Sequence, residues 1–274
     1  MRVNNPSIKE IPDRQPDNKS KVTVCITNHI IEMVIVEKRS YVLTNYQRKS
    51  RFEFIDLRTG EIREYSCNNE LNRNRSFNQL RRYVNANFTG KSNEIFLTLT
   101  YANQEFNRSQ VSADLKRFWK KLKYRNKTCE YIAIFEPHQN GAWHIHMLIK
   151  DLRKKPIYID MKILRKMWER GNISMIKLKG NDNIGAYFSA ICKNFNTDDF
   201  SKAGRIKYYP KFSKCFSHSA NIKKPIYKTM TYENAMDFVK NSKEVYSKSI
   251  GIFDYDENEI NAIFYKQFNS ERKD

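Results

Sequence analysis

Trp143-His144-Ile145-His146-Met147 is the stretch of this chain whose residue types and spacing point most directly to chemistry. Histidines at i and i+2 on a strand face the same side of a sheet, close enough to share one cation. The chain has five histidines in 274 residues, so such a pair is uncommon. Glu136 ends the preceding strand-like run, and Asn140 lies midway between Glu136 and His144. A hairpin folded about Asn140 therefore sets Glu136 opposite His144, on the face that carries both imidazoles. Two imidazoles and a carboxylate suit a borderline divalent ion with open coordination positions. The plainer alternative is a solvated strand whose histidines are incidental and whose glutamate caps a turn. An ion in such a site makes a phosphodiester more electrophilic, and that reaction needs a nucleophile. Tyrosine is abundant, at sixteen copies. Tyr187 differs from most of them, because it borders the apolar stripe of a helix that follows the hairpin. Any one tyrosine is more often core packing than a nucleophile.

These residues need elements to hold them. EIFLTLTY (94–101) reads as a strand, and Val111–Lys123 as a helix with Leu115, Phe118, Trp119 and Leu122 on one side. Strands follow at Tyr131–Glu136 and Trp143–Lys150, a helix over 160–170, a strand over 173–178, and a helix over 183–195. The last helix carries Ile184, Phe188, Ile191 and Phe195 as its apolar stripe. Strand, helix, hairpin, helix, strand is the order of a ferredoxin-like α+β layer. The expected fold is therefore α+β, an antiparallel-rich central sheet with helices packed on one face and the site on the other.

Upstream, residues 1–20 hold three prolines and read as a disordered tail. Residues 21–90 read as β-hairpins, one turning at Thr59-Gly60, followed by a basic helix from Asn68 to Phe88. The catalytic core is expected over 91–200, with a basic and aromatic extension over 201–274. Arg81 and Arg82 on the first helix suit either a solvated face or phosphate contacts. Lys202, Arg205, Lys207, Tyr208 and Tyr209 mix cations with stackable rings, as a single-strand channel does. An ordinary surface strand explains them equally well.

Composition narrows the partner. Lys and Arg number 50 against 30 Asp and Glu, a net charge of +20. That excess favours a polyanion, nucleic acid first and an anionic membrane surface second. No apolar run reaches the length of a membrane span, and the first residues carry no secretory apolar core. The five cysteines (25, 67, 129, 192, 215) are odd in number, and no C-x-x-C occurs. A reduced, cytoplasmic chain is expected. TGKS at 89–92 resembles a phosphate loop, but Asn85 stands where that motif needs glycine, so no nucleotide cofactor is expected.

FLTLTY, FEPHQNGAWHIHMLIK and GAYFSAICK, in that order, resemble the three-motif series of HUH-type rolling-circle replication initiators, the Rep endonucleases of small plasmids and single-stranded phages. The His–hydrophobic–His triplet of that family is matched by His144, Ile145 and His146. The resemblance implies that His144, His146 and Glu136 ligate Mg²⁺ or Mn²⁺, and that Thr98 and Thr100 support the site or touch DNA. It implies that Tyr187 attacks a phosphodiester of single-stranded or supercoiled origin DNA, leaving a 5′-phosphotyrosine link and a free 3′-hydroxyl primer. Host helicase and polymerase are the implied partners, with neither membrane nor nucleotide. Many relatives carry a second tyrosine one turn on, where this chain has Ile191. Some place a lysine at 190 or 191; Lys193 is the nearest here, a weak candidate for a phosphate contact.

Other readings stay open. A single-tyrosine transposase or a relaxase would share the chemistry and differ in its DNA partner. A non-catalytic single-strand binder would show salt-dependent binding and no metal requirement. A non-haem iron oxygenase also uses two histidines and a carboxylate, but it fits poorly with such a charge.

Overall fold

A computed structural model of the chain describes residues 7–37, 51–55, 62–66, 69–178, 183–193, 208–210 and 213–272. The chain divides into two compact units, residues 1–72 with 225–274, and residues 73–224.

The first unit is built on a six-stranded antiparallel sheet. Its strands are β1 (Ser7–Glu10), β2 (Lys21–Thr27), β3 (Ile30–Val36), β11 (Ile226–Thr231), β12 (Lys243–Phe253) and β13 (Glu259–Asn269). They lie in the order β1-β12-β13-β3-β2-β11. Val22, Val24, Met33, Ile35 and Phe264 alternate along their strands onto one face. There they pack with Tyr232, Ala235 and Val239 of α5 (Tyr232–Val239). A separate ribbon pairs β4 (Arg51–Ile55) with β5 (Ile62–Ser66). The turn expected at Thr59-Gly60 lies outside the described residues. Two expectations change here. Residues 7–10, assigned to a tail, pair with β12 through Ser7↔Phe253 to Glu10↔Ile250. The terminal segments, read as a hairpin with a helix as the other option for the last, form the hairpin β12–β13. That hairpin lies in the same sheet as the N-terminal strands, a long-range pairing that no local pattern reveals.

The second unit holds a five-stranded sheet. It follows most of α1 (Asn69–Asn87) and comprises β6 (Glu94–Tyr101), β7 (Cys129–Pro137), β8 (Trp143–Asp151), β9 (Gly171–Lys177) and β10 (Phe216–His218). The order is β10-β7-β8-β6-β9, and every pairing is antiparallel. Strand β8 sits between β6 and β7, which α2 (Arg108–Arg125) connects, so the sheet is the split β-α-β arrangement expected of a ferredoxin-like layer. Leu97, Leu99, Ile145 and Met147 are fully buried on one face. Phe118 of α2 and Trp168 of α3 (Met161–Trp168) meet edge to face at 6.0 Å over that side. Each such side chain contributes about 1.5–3 kcal/mol of burial free energy.

The opposite face is half covered. At its far end Lys150 donates to the Asn87 side chain (2.7 Å), and Phe188 of α4 (Ile184–Lys193) meets Phe96 edge-on at 5.7 Å. The α2 and α3 layer therefore occupies one face as expected, while α1 and α4 close over part of the other.

Candidate metal centre

Strand register builds the site. Strands β7 and β8 pair Glu136 with His144 and Ile134 with His146, and β6 adds Thr98 opposite His146 and Thr100 opposite His144. The connecting turn is closed by His138 N–H donating to the Ala142 carbonyl at 2.6 Å. Gly141 takes a positive φ of 87° there, with the Tyr208 ring against it. A Cβ at that position would stand 2.9 Å from the ring, so both backbone conformation and space require glycine.

Three ligand atoms converge. Glu136 Oε2 lies 2.7 Å from His146 Nε2 and 3.0 Å from His144 Nε2, and the two Nε2 atoms are 2.9 Å apart. Among the described residues this is the group of three His, Cys, Asp or Glu side chains whose ligand atoms gather within 4.8 Å. Glu136 and His144 are buried, and His146 is half-buried. Burial pushes the Glu136 carboxyl up, but the hydrogen bonds and charge of His144 and His146 outweigh it and hold the group at about 2. The glutamate is therefore anionic across the physiological range.

The donor set fits a divalent cation. Three ligands at right angles about an ion, each about 2.0–2.1 Å from it, stand about 3 Å from one another. Protons alone serve this triangle poorly. Each Nε2 carries at most one hydrogen, and if both donate to Glu136 then two N–H groups face each other across 2.9 Å. A cation at the centre satisfies all three lone pairs. Thr98 Oγ1, 3.2 Å from His146 Nδ1, accepts the proton of the tautomer that leaves Nε2 free. Thr98 thus supports a ligand histidine.

Sequence patterning did not single out two contributors. Phe96 lies flat against His146, with ring centroids 5.5 Å apart and planes 13° from parallel. Its position two residues before Thr98, on the same strand face, was the available signal. His138 stacks on His144 at 4.2 Å, and no periodicity marks it because it sits in the turn. Beside it opens a cleft of about 470 Å³, lined by Thr100, Gln104, His138 and Asn140 among others.

The α4 helix is fixed to α1. Asn85 Oδ1 accepts the Gly185 N–H at 2.7 Å, Asn85 Nδ2 donates to Asn183 Oδ1, and Asn183 caps the first turn through Ala186 N–H. Gly185 lets the helices approach, since a Cβ there would lie 2.4 Å from the Arg81 carbonyl. Phe188 is fully buried and meets Phe96, which stacks on His146, so an aromatic chain ties α4 to the metal triad. Tyr187, one residue earlier and about 100° round the helix, is 54% exposed. Arg81 and Arg82 are half-buried on α1. The Lys193 side chain and the whole of Arg205 and Lys207 lie outside the described residues. Tyr209 departs from the expected stacking surface: it is buried, its hydroxyl donates to the Phe135 carbonyl, and its ring meets Trp143 edge-on.

A split β-α-β sheet bearing a two-histidine, one-glutamate centre inside a strongly basic unit defines the class of protein. Residues 94–196 match the family described as replication-associated protein, of the ORF2 type, a span that runs from the start of β6 beyond α4 and contains all three motifs. The match supports the resemblance to rolling-circle replication initiators of the Rep type. No curated protein and no solved structure matches the chain. No helix among the described residues is long and apolar enough to cross a membrane.

Proposed function

We propose that the protein starts rolling-circle replication by nicking single-stranded origin DNA with a tyrosine nucleophile at a divalent-metal site. The observation that carries this reading is the convergence of Glu136, His144 and His146 inside the segment that matches the replication-associated family. These three residues would hold Mg²⁺ or Mn²⁺. Such an ion, when bound, polarises a phosphodiester oxygen and stabilises charge on the leaving oxygen.

The chain's own groups do the rest. The Tyr187 oxygen attacks phosphorus, forming an O–P bond as the P–O3′ bond breaks; the phenol proton passes to solvent and the departing oxygen takes one up. A 5′-phosphotyrosine and a 3′-hydroxyl result, and the phosphoester bond conserves the energy needed for rejoining. Exposure suits Tyr187 to this role, because a buried phenol cannot meet a DNA strand. Thr98 orients His146, and Phe96 and His138 hold the rings of His146 and His144 by stacking. Origin DNA, with host helicase and polymerase acting on its primer end, is the partner set that this chemistry requires.

The test is covalent capture. Incubation with a single-stranded origin oligonucleotide and Mn²⁺ should give an adduct of the mass of protein plus the 3′ fragment. Tyr187→Phe should abolish it and leave DNA binding within about twofold. An adduct that survives in the Phe variant names another nucleophile, and binding without any adduct or metal requirement returns the protein to the non-catalytic single-strand binders.

A further inference from the structure

Arg108 opens α2 on the sheet face opposite the metal triad, and it is a buried cation without a carboxylate. It is 8% exposed, with the guanidinium 3.4 Å from the centroid of the Phe135 ring. Nη1 donates to Ser112 Oγ and Nη2 to the Lys214 carbonyl (2.8 Å), while Nε is buried with no acceptor. Burial lowers its basicity to about 10, and the groups whose charge bears on it are two phenols and a thiol rather than an acid. Lys150, another buried cation of the unit, has Glu94 beside it. An uncompensated buried charge is costly, and it persists where something supplies the counter-charge.

The cleft that Arg108 lines, about 390 Å³, is suited to supplying it. Its donors come from Arg108, Lys116 and Lys214 and from Ser109, Ser112 and Ser213, and no Asp or Glu lines it. Ser213 Oγ is a second buried polar atom without a partner. Stacking of Arg108 on Phe135 would account for a structural cation, but it gives no reason for a second orphaned group or for two lysines at the rim. A tetrahedral oxyanion, with several acceptor oxygens and negative charge, answers all of these at once.

We propose that this cleft binds a phosphate group, and, resting on the function proposed above, that the group belongs to the backbone of the DNA strand. The nucleic acid would then touch both faces of the five-stranded sheet: phosphorus chemistry at the triad, anchoring at Arg108.

The full chain tests this in two arms. In the first, inorganic phosphate is titrated and the shift in melting temperature is followed for wild type, Arg108→Met, and the rim pair Lys116→Gln with Lys214→Gln. Lys154→Gln with Lys155→Gln removes equal charge from exposed positions outside the cleft. The shift should persist in wild type and in that control, vanish in Arg108→Met, and need about tenfold more phosphate in the rim pair. An equal shift in all four proteins overturns the site. If Arg108→Met fails to fold, the rim pair decides, since both lysines are exposed. In the second arm, single-stranded DNA binding is measured against salt. Loss of one backbone contact lowers the log–log slope by about 0.7. A phosphate response with an unchanged slope assigns the cleft to a free phosphoryl compound and overturns the backbone contact. Neither arm involves nicking, so the site can stand if covalent capture fails, and fall if it succeeds.

Discussion

The two units divide the charge of the chain very unevenly. Residues 73–224 carry 31 Lys and Arg against 11 Asp and Glu, and so the whole net charge of +20; residues 1–72 with 225–274 carry 19 of each. The use of the acids sharpens the contrast. In the basic unit Glu94, Asp114, Glu130, Glu136 and Asp151 are all buried. Glu94 accepts the backbone amides of Thr89, Gly90 and Lys91, Glu130 takes Lys123, and Asp114 takes Tyr101 and Gln110. Acids that serve as internal fasteners leave the surface cations uncompensated. In the neutral unit most acids with a recorded partner meet a cation at the surface, as in Lys9–Glu257, Arg14–Glu37, Lys240–Asp237 and Lys248–Glu10. A polyanion therefore has one unit to meet, and it is the one that holds the metal triad.

The largest expected effect attacks that assignment at its centre. Glu136→Gln should cut nicking by about a thousandfold or more and reduce Mn²⁺ binding, read by calorimetry, by about tenfold or more. DNA affinity should hardly move, because the phosphate-facing charge lies elsewhere in the unit. Nicking retained in that variant would remove the triad from the chemistry. Metal binding should also weaken as pH falls, since imidazoles must be neutral to ligate.

Next in size is the seat of α4. Gly185→Ala places a methyl 2.4 Å from the Arg81 carbonyl, so the helices must part. About 1–3 kcal/mol of stability should be lost, visible in a denaturant midpoint, and nicking should fall about tenfold or more while Mn²⁺ binding persists. That split would separate placement of Tyr187 from assembly of the triad. An unchanged rate would mean that α4 does not position the nucleophile.

Salt dependence tests the charge contrast itself. Neutralising two exposed lysines of the basic unit that touch the strand should lower the slope of DNA affinity against salt by about 1.4, at about 0.7 per contact. Lys228→Gln with Lys240→Gln, exposed in the neutral unit, should leave it unchanged. An equal fall in both would break the comparison and spread the interface over both units.

Much of the basic unit was legible in the sequence because its determinants are local. Alternation in EIFLTLTY and in WHIHMLIK, and the symmetric placing of Glu136 and His144 about Asn140, fixed which residues share a face, and the register Glu136↔His144 follows. The neutral unit was less legible. Its sheet joins strands near both ends of the chain, β13 lying beside β3 and β12 beside β1, and the hydrophobic pattern of a strand does not name its neighbour. Arg108 escaped notice for a related reason. An arginine at the start of a helix reads as a solvated charge until tertiary packing sets Phe135 beneath it.

The smallest effect concerns one of the internal fasteners. Asp151 is buried and accepts the Arg153 backbone N–H at 2.8 Å and its guanidinium at 2.7 Å, and these contacts, led by the Arg153 side chain, hold its carboxyl at about 2, below the ordinary 3.8. A depressed acid contributes stability that is complete above the unfolded-state value and is lost as pH falls through the folded one. The window is therefore about pH 4 down to 2. The full shift would correspond to about 2 kcal/mol, but Arg153 is 58% exposed and solvent screening reduces the expectation to about 1 kcal/mol. Asp151→Asn should accordingly lower the denaturant midpoint at pH 7 slightly and flatten its decline between pH 4 and 2. If wild type and variant decline in parallel through that window, Asp151 is not among the acids that the basic unit commits to its own fold, and its charge would count toward the surface.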